Sequence, residues 1–210
     1  MGWLGRGRGG RSRDADQEEP GEQPAEPRVR ASPGVAALFD GVKEDGTHTV
    51  LDFGTASETH LRLYGRYARQ IRFAGLVPTL AHGEPFARAL QAMPPNRAQP
   101  YDLVLAWDVL DRLLAEERPL LIDRLAELTA PGARLYALVR TSDEITTRPM
   151  RFTLLGIDRV AEEVVGPPEL AGRGLLPAEV ERVLDPFRIL HAFTLRSGMR
   201  EYLAVKKRGA

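Results

Sequence analysis

Thr49-Val50-Leu51-Asp52-Phe53-Gly54-Thr55-Ala56-Ser57-Glu58 decides the fold. Thr49 to Phe53 is a short, almost wholly apolar run of strand length, and Gly54 ends it. Thr55-Ala56-Ser57-Glu58 then has the spacing of a capping box, which predicts a helix to about Arg69 with Leu61, Tyr64 and Ala68 on its inner face. A buried strand that turns at a glycine straight into a helix is the opening unit of a parallel α/β sheet. The same turn lacks large side chains at Gly54 and Ala56, so backbone there is open to close approach by a ligand.

Outward from this unit, strands and helices alternate. Val35 to Phe39 reads as a short amphipathic helix leading in, and Ile71 to Leu76 as a second strand stopped by Pro78. Glu84 to Met93 reads as a helix, ended by Pro94-Pro95. Leu103-Val104-Leu105-Ala106-Trp107 is the most apolar strand, which predicts a central place in the sheet. Asp108 is placed to cap a helix through about Glu117, Pro119 opens another carrying Leu121, Leu125 and Leu128, and Pro131-Gly132 closes it. A strand over Arg134 to Val139 follows, then an irregular stretch, 141–176, rich in Gly, Pro and charge. Pro177 to Leu184 reads as a helix, and Phe187–Leu195 with Glu201–Lys206 as a hairpin turning at Ser197-Gly198. This order predicts a doubly wound, mostly parallel sheet with one antiparallel hairpin, and ligands beyond the carboxyl ends of its strands.

The whole chain has 210 residues, with 29 basic and 29 acidic side chains and no cysteine. One folded domain, 33–210, is expected, preceded by a disordered tail, 1–32, that holds six Gly and three Pro and blocks of opposite charge. Zero net charge gives no bulk field toward nucleic acid or an anionic membrane. Absence of cysteine excludes disulfides and thiolate chemistry and fits a cytoplasmic protein. No apolar run approaches the roughly 20 residues of a membrane span, and the N-terminus has neither a secretory nor a myristoylation pattern.

The order of elements, together with Val50–Ser57 at the first strand, Tyr101–Asp108 at the fourth, Pro131-Gly132-Ala133 before the fifth and the closing hairpin, resembles the class I S-adenosylmethionine-dependent methyltransferases. The resemblance covers about residues 35–206. It implies the Rossmann-like fold of that family, with a seven-stranded-type sheet, and S-adenosyl-L-methionine as cofactor for an unidentified methyl acceptor. It also implies that Asp52, Phe53, Gly54, Thr55 and Ala56 on the first loop, with Trp107 and Asp108 after the fourth strand, face the cofactor. The sulfonium already activates the methyl group, so such an enzyme mainly aligns donor and acceptor and needs no distinctive catalytic constellation.

Three departures point elsewhere. Ala56 and Glu58 stand where the family's loop has its second and third glycines, and Arg69 to Leu76 carries no acid to hold the ribose hydroxyls. These favour a non-catalytic module that keeps the fold with an eroded cofactor site. An NAD(P) oxidoreductase fits less well, since the Gly-x-Gly-x-x-Gly turn is missing. Trp107 has two readings, a surface for a planar ligand or a core residue, and Asp108 is either a helix cap or a group that orients a substrate. Arg140 to Glu144 and the irregular segment after it are expected at the binding edge as a solvated loop or a lid. The four histidines show no metal-ligand spacing, and strand alternation puts His191 with Phe187, Ile189 and Phe193 in the core.

Overall fold

The computed structural model describes residues 26–76, 85–94, 99–141, 146–170 and 173–208. The apolar runs found above become strands of one six-stranded sheet. In chain order these are β2 (His48–Asp52), β3 (Ala68–Phe73), β4 (Tyr101–Leu105), β5 (Thr129–Arg140), β10 (Phe187–Thr194) and β11 (Met199–Lys206). Their order across the sheet is β10-β11-β5-β4-β2-β3, with β3, β2, β4 and β5 parallel and the β10–β11 hairpin antiparallel to them. β4 lies between β2 and β5, and Leu103, Val104 and Leu105 are almost wholly buried, as a strand covered on both faces requires. No further strand joins this sheet among the described residues; 77–84 and 95–98 lie outside them.

Some helices depart from the bounds their periodicity suggests. Ser32 caps α1 (Pro33–Phe39), its hydroxyl accepting from the N–H of Val35. α2 is Glu58–Tyr64, capped by Ser57, so the helix stops five residues before Arg69 and Ala68 already belongs to β3. Tyr64 is fully buried as expected, but Leu61 is half exposed. Glu58 does not reach back to Thr55. It accepts from Arg62 on the exposed face of the helix. The remaining helices are α3 (Phe86–Gln91), α4 (Glu117–Leu128) and α5 (Pro177–Val183). Val109–Arg112 is a single 3-10 turn where a longer helix is expected.

Two further corrections concern the ends of the domain. Arg28–Ala31 is a strand, β1, so folded structure begins inside the stretch that composition assigns to a tail; residues 1–25 lie outside the described part. The segment 141–176 is also not irregular throughout. It carries β6 (Thr146–Thr147), β7 (Met150–Leu154), β8 (Arg159–Val164) and β9 (Glu169–Leu170). β1, β8 and β7 form a small antiparallel sheet in that order, and β6 pairs with β9.

A buried carboxylate ties the small sheet to the large one. Glu201 on β11 is wholly buried and accepts hydrogen bonds from Arg30 (2.5 Å), the Ser32 hydroxyl (2.6 Å), the Gly34 N–H (2.7 Å) and the Tyr136 hydroxyl (3.0 Å). Arg30 also donates to Glu162 across the β1–β8 pair. A buried charge with this many donors is satisfied, whereas the loss of any one donor leaves desolvation uncompensated. The arrangement needs Gly34: a Cβ there would stand 2.8 Å from the Cβ of Glu201 and 2.9 Å from a ring carbon of Tyr136. No helix among the described residues is long and apolar enough to cross a membrane.

Gly34→Ala is therefore expected to destabilise the fold by about 1–3 kcal/mol, the usual cost of overpacking. Urea denaturation of the two proteins reads this directly, and an unchanged midpoint would refute the close helix–sheet packing.

Candidate functional site

The carboxyl ends of β2 and β4 open onto a cleft of about 490 Å³. That lies within the roughly 300–1,000 Å³ of small-molecule pockets. Phe53, Gly54, Thr55 and Ala56 form its floor on the β2 side, and Ala106, Trp107 and Asp108 on the β4 side. Pro149, Met150, Arg151 and Phe152 at the start of β7 form the opposite wall, so the segment expected as a lid is a strand of the small sheet. Phe73 and Gly75 close the end beyond β3, and neither offers a carboxylate.

Six of the seven residues expected at the site thus line one cleft. The seventh, Asp52, lies beneath it with no exposed surface. Its Oδ1 accepts from the Gly54 N–H at 2.7 Å and from the Trp107 indole N–H at 2.6 Å, and its Oδ2 accepts from the Tyr64 hydroxyl at 2.5 Å. Burial pushes the Asp52 carboxyl above the usual carboxylate range, while the bonds from Tyr64, Gly54 and Trp107 pull the other way. Burial, and then the neighbouring Asp52, hold the Tyr64 hydroxyl well above its ordinary value.

His60 completes this buried network, a role its sequence position does not reveal. Its Nε2 accepts from the Leu154 N–H at 2.8 Å, so Nδ1 carries the proton and donates to the Thr55 carbonyl at 3.1 Å. One imidazole therefore joins α2, the loop after β2 and strand β7. The only sequence signal for it is the i, i+4 relation of His60 to Tyr64, which puts both on one helix face.

Trp107 is both core and cleft wall, so its two readings merge. Its side chain is 2% exposed, its ring stacks on Phe152 at 5.2 Å and 2°, and it meets the edge of Tyr136 at 5.5 Å. Among the described residues it is the one non-glycine with positive φ, +48°. A bulky side chain in that region stores about 1–3 kcal/mol of strain. The bond to Asp52 and the aromatic contacts offset it, at about 0.5–1.5 kcal/mol per ring pair. The indole also explains Gly54, because a Cβ there would lie 2.9 Å from Trp107 Nε1 and 3.0 Å from Asp52 Oδ1. Close approach at this glycine is thus made by the protein's own indole.

Asp108 does not cap a helix through its side chain. Its carboxylate accepts from Arg112 Nη2 at 2.8 Å and Nε at 3.1 Å, and the pair lies in the cleft lining. Asp111, one turn on, accepts from the Arg140 N–H at 2.7 Å. Burial pushes its carboxyl up to about 7, against that bond and with help from nearby Asp108. Of the stretch Arg140 to Glu144, residues 142–145 lie outside the described part. Among the described residues no three His, Asp or Glu converge to hold a metal.

No family model and no curated protein matches the sequence. Solved structures do. The N-methyltransferase NodS of Bradyrhizobium japonicum WM9, in complex with S-adenosyl-L-homocysteine, is 12% identical with a TM-score of 0.50, over 83% of this chain and 86% of that one. CalS10, an amino pentose methyltransferase of Micromonospora echinaspora with S-adenosylmethionine bound, is 14% identical with a TM-score of 0.50, over 82% of this chain and 89% of that one. The chain spans about half the length of the pyocyanin biosynthetic protein PhzM, covering 54% of it at 16% identity and a TM-score of 0.48. At these identities the likeness speaks for the fold: the chain has the Rossmann-like fold of the class I S-adenosylmethionine-dependent methyltransferases.

Two outcomes test the site's wiring. In a double-mutant cycle, Gly54→Ala is expected to destabilise wild type more than it destabilises Trp107→Phe, with a coupling above about 0.5 kcal/mol, because the smaller ring vacates the space; simple additivity in urea titrations would refute the contact. For Asp111, the folded carboxyl holds a proton that the unfolded chain releases between pH about 4 and 7, so this group makes stability fall as pH rises through that window. Asp111→Asn keeps an acceptor for the Arg140 N–H and is expected to flatten the slope and raise stability at pH 8. An unchanged pH profile would show that the folded carboxyl titrates normally.

Proposed function

We propose that this chain is an S-adenosylmethionine-dependent methyltransferase, with the adenosyl ligand seated in the cleft between the loop after β2 and the end of β4. The observation that carries the reading is the cleft itself, of ligand size and at the strand ends where this fold places its ligand. Gly54, Thr55, Ala56 and Gly75 give it short-chained edges, and Ala106 with Trp107 and Phe152 give it an apolar depth for a purine or a thioether. Phe53 and Asp108 complete the contacts expected of the cofactor. Asp52 acts through the loop, fixing Gly54 and Trp107 instead of touching the ligand. The acceptor enters past Met150 and Arg151, and the protein's contribution to methyl transfer is alignment.

One observation favours the second reading, a non-catalytic module. The buried Asp52 carboxyl is taken up by three protein donors, and no acid stands at the end of β3 to clamp a ribose, a bond of roughly 1.5–3 kcal/mol.

Titration with S-adenosylmethionine and S-adenosylhomocysteine, by calorimetry and thermal shift, separates the two. A ligand at 100 times its dissociation constant stabilises the fold by about 2.7 kcal/mol. The methyltransferase reading expects that response, and expects Ala56→Trp, on an exposed loop position, to abolish it while leaving the unliganded stability unchanged. No response to either compound at millimolar concentration would leave the non-catalytic module.

A further inference from the structure

A second cavity, of about 620 Å³, lies on the sheet face covered by α1, away from the cleft. Its floor is apolar, made by Ala37, Leu203 and Val205. Around that floor stand Arg134, Arg188, Lys206, Lys207, Arg208 and His191, against one acid, Asp40. In a chain whose charges balance at 29 and 29, that is a local excess of positive charge.

A backbone irregularity assembles it. Strand alternation places His191 with Phe187 and Ile189, but the β10–β11 register shifts between Ile189 and His191 and leaves Leu190 as an extra residue. Arg188 pairs with Val205 and His191 with Leu203, so the bulge turns His191 out of the core and onto the face that carries Arg188. His191 is exposed, not buried, and Phe193 stacks on it at 5.8 Å. Bulges re-aim side chains in this way and recur beside functional sites.

The cations differ in what they already do. Arg134 donates to the carbonyls of Leu38 (2.8 Å) and Asp40 (2.5 Å), and Lys206 to those of Ala126 and Thr129, so both are held in place by neutral acceptors instead of by an acid. Lys207 pairs with Asp185 at 3.0 Å. Arg188 and Arg208 make no hydrogen bond or ion pair among the described residues. Two fixed charges, two free guanidinium groups and an imidazole around an apolar floor suit an anion with several oxygens and an attached apolar or planar body.

We propose that this cavity binds a phosphorylated small molecule of nucleotide size, independently of the cleft. Its confinement to one cavity in a chain without net charge favours a compact ligand over a polynucleotide, which needs a continuous basic track.

Calorimetry on the full chain with UDP and with inorganic pyrophosphate tests it, with uridine as the phosphate-free control and S-adenosylhomocysteine to report on the cleft. UDP is expected to bind saturably and more tightly than uridine. Arg188→Glu and Arg208→Glu, both at exposed positions, are each expected to weaken it by about tenfold or more without altering the response to S-adenosylhomocysteine. Absence of saturable binding of UDP and pyrophosphate at millimolar concentration overturns the proposal. So does binding that both charge reversals leave within about twofold, or competition between UDP and S-adenosylhomocysteine, which would put UDP in the cleft. A short oligouridine binding more tightly than UDP, with the same sensitivity to Arg188→Glu, would replace the small molecule with RNA. Failure of S-adenosylhomocysteine to bind bears only on the methyltransferase reading.

Discussion

A carboxylate sealed from water must be answered by donors, and the answer to Asp52 organises the whole upper end of the sheet. Gly54 turns the loop back so its N–H reaches Oδ1, Trp107 takes an unfavourable backbone angle so its indole reaches the same oxygen, and Tyr64 fixes the roll of α2 through Oδ2. Each donor comes from a different element, so the position of one constrains the others. His60 extends the constraint to β7 through Leu154. The cleft is the space left over once these bonds are made.

Glu201 plays the corresponding part for the small sheet. β1 is only four residues long and carries two arginines, too little apolar surface to hold it by burial alone. It stays because Arg30 reaches Glu162 on the neighbouring strand and Glu201 on β11, while Ser32 and Gly34 bring the start of α1 to the same carboxylate. The wall that β7 gives to the cleft therefore depends on a strand that pairs with β8, not with β7 itself.

Sequence reading recovered what burial writes. Leu103 to Trp107 and the Ser197-Gly198 hairpin stand out because continuous apolar runs and turn residues carry their own signal. The small sheet is silent to the same test, since Arg28-Val29-Arg30 and Arg159-Val160-Ala161-Glu162-Glu163 are held by cross-strand pairs such as Arg30–Glu162 and Arg151–Glu163. The early end of α2 was hidden for another reason. Tyr67 leaves the helix to pack on Phe39 at 4.9 Å, a tertiary contact that outweighs the helical propensity of the residues after Gly65. Glycine, small residues and tryptophan drew attention to positions that line the cleft; that Asp52 would be turned inward needed coordinates.

The bulge at Leu190 has a consequence beyond the cavity beside it. Among the described residues, β10 is the outermost strand on one side of the sheet and β3 on the other. A flat rim of unpaired amides is a template on which further strands, from this chain or another, can be laid down. β10 bears an exposed arginine and histidine on a backbone bent by one supernumerary residue, and β3 exposes Arg69 and Arg72. Charge and the bulge are features that disfavour templated growth at the rim of a sheet this apolar at its centre.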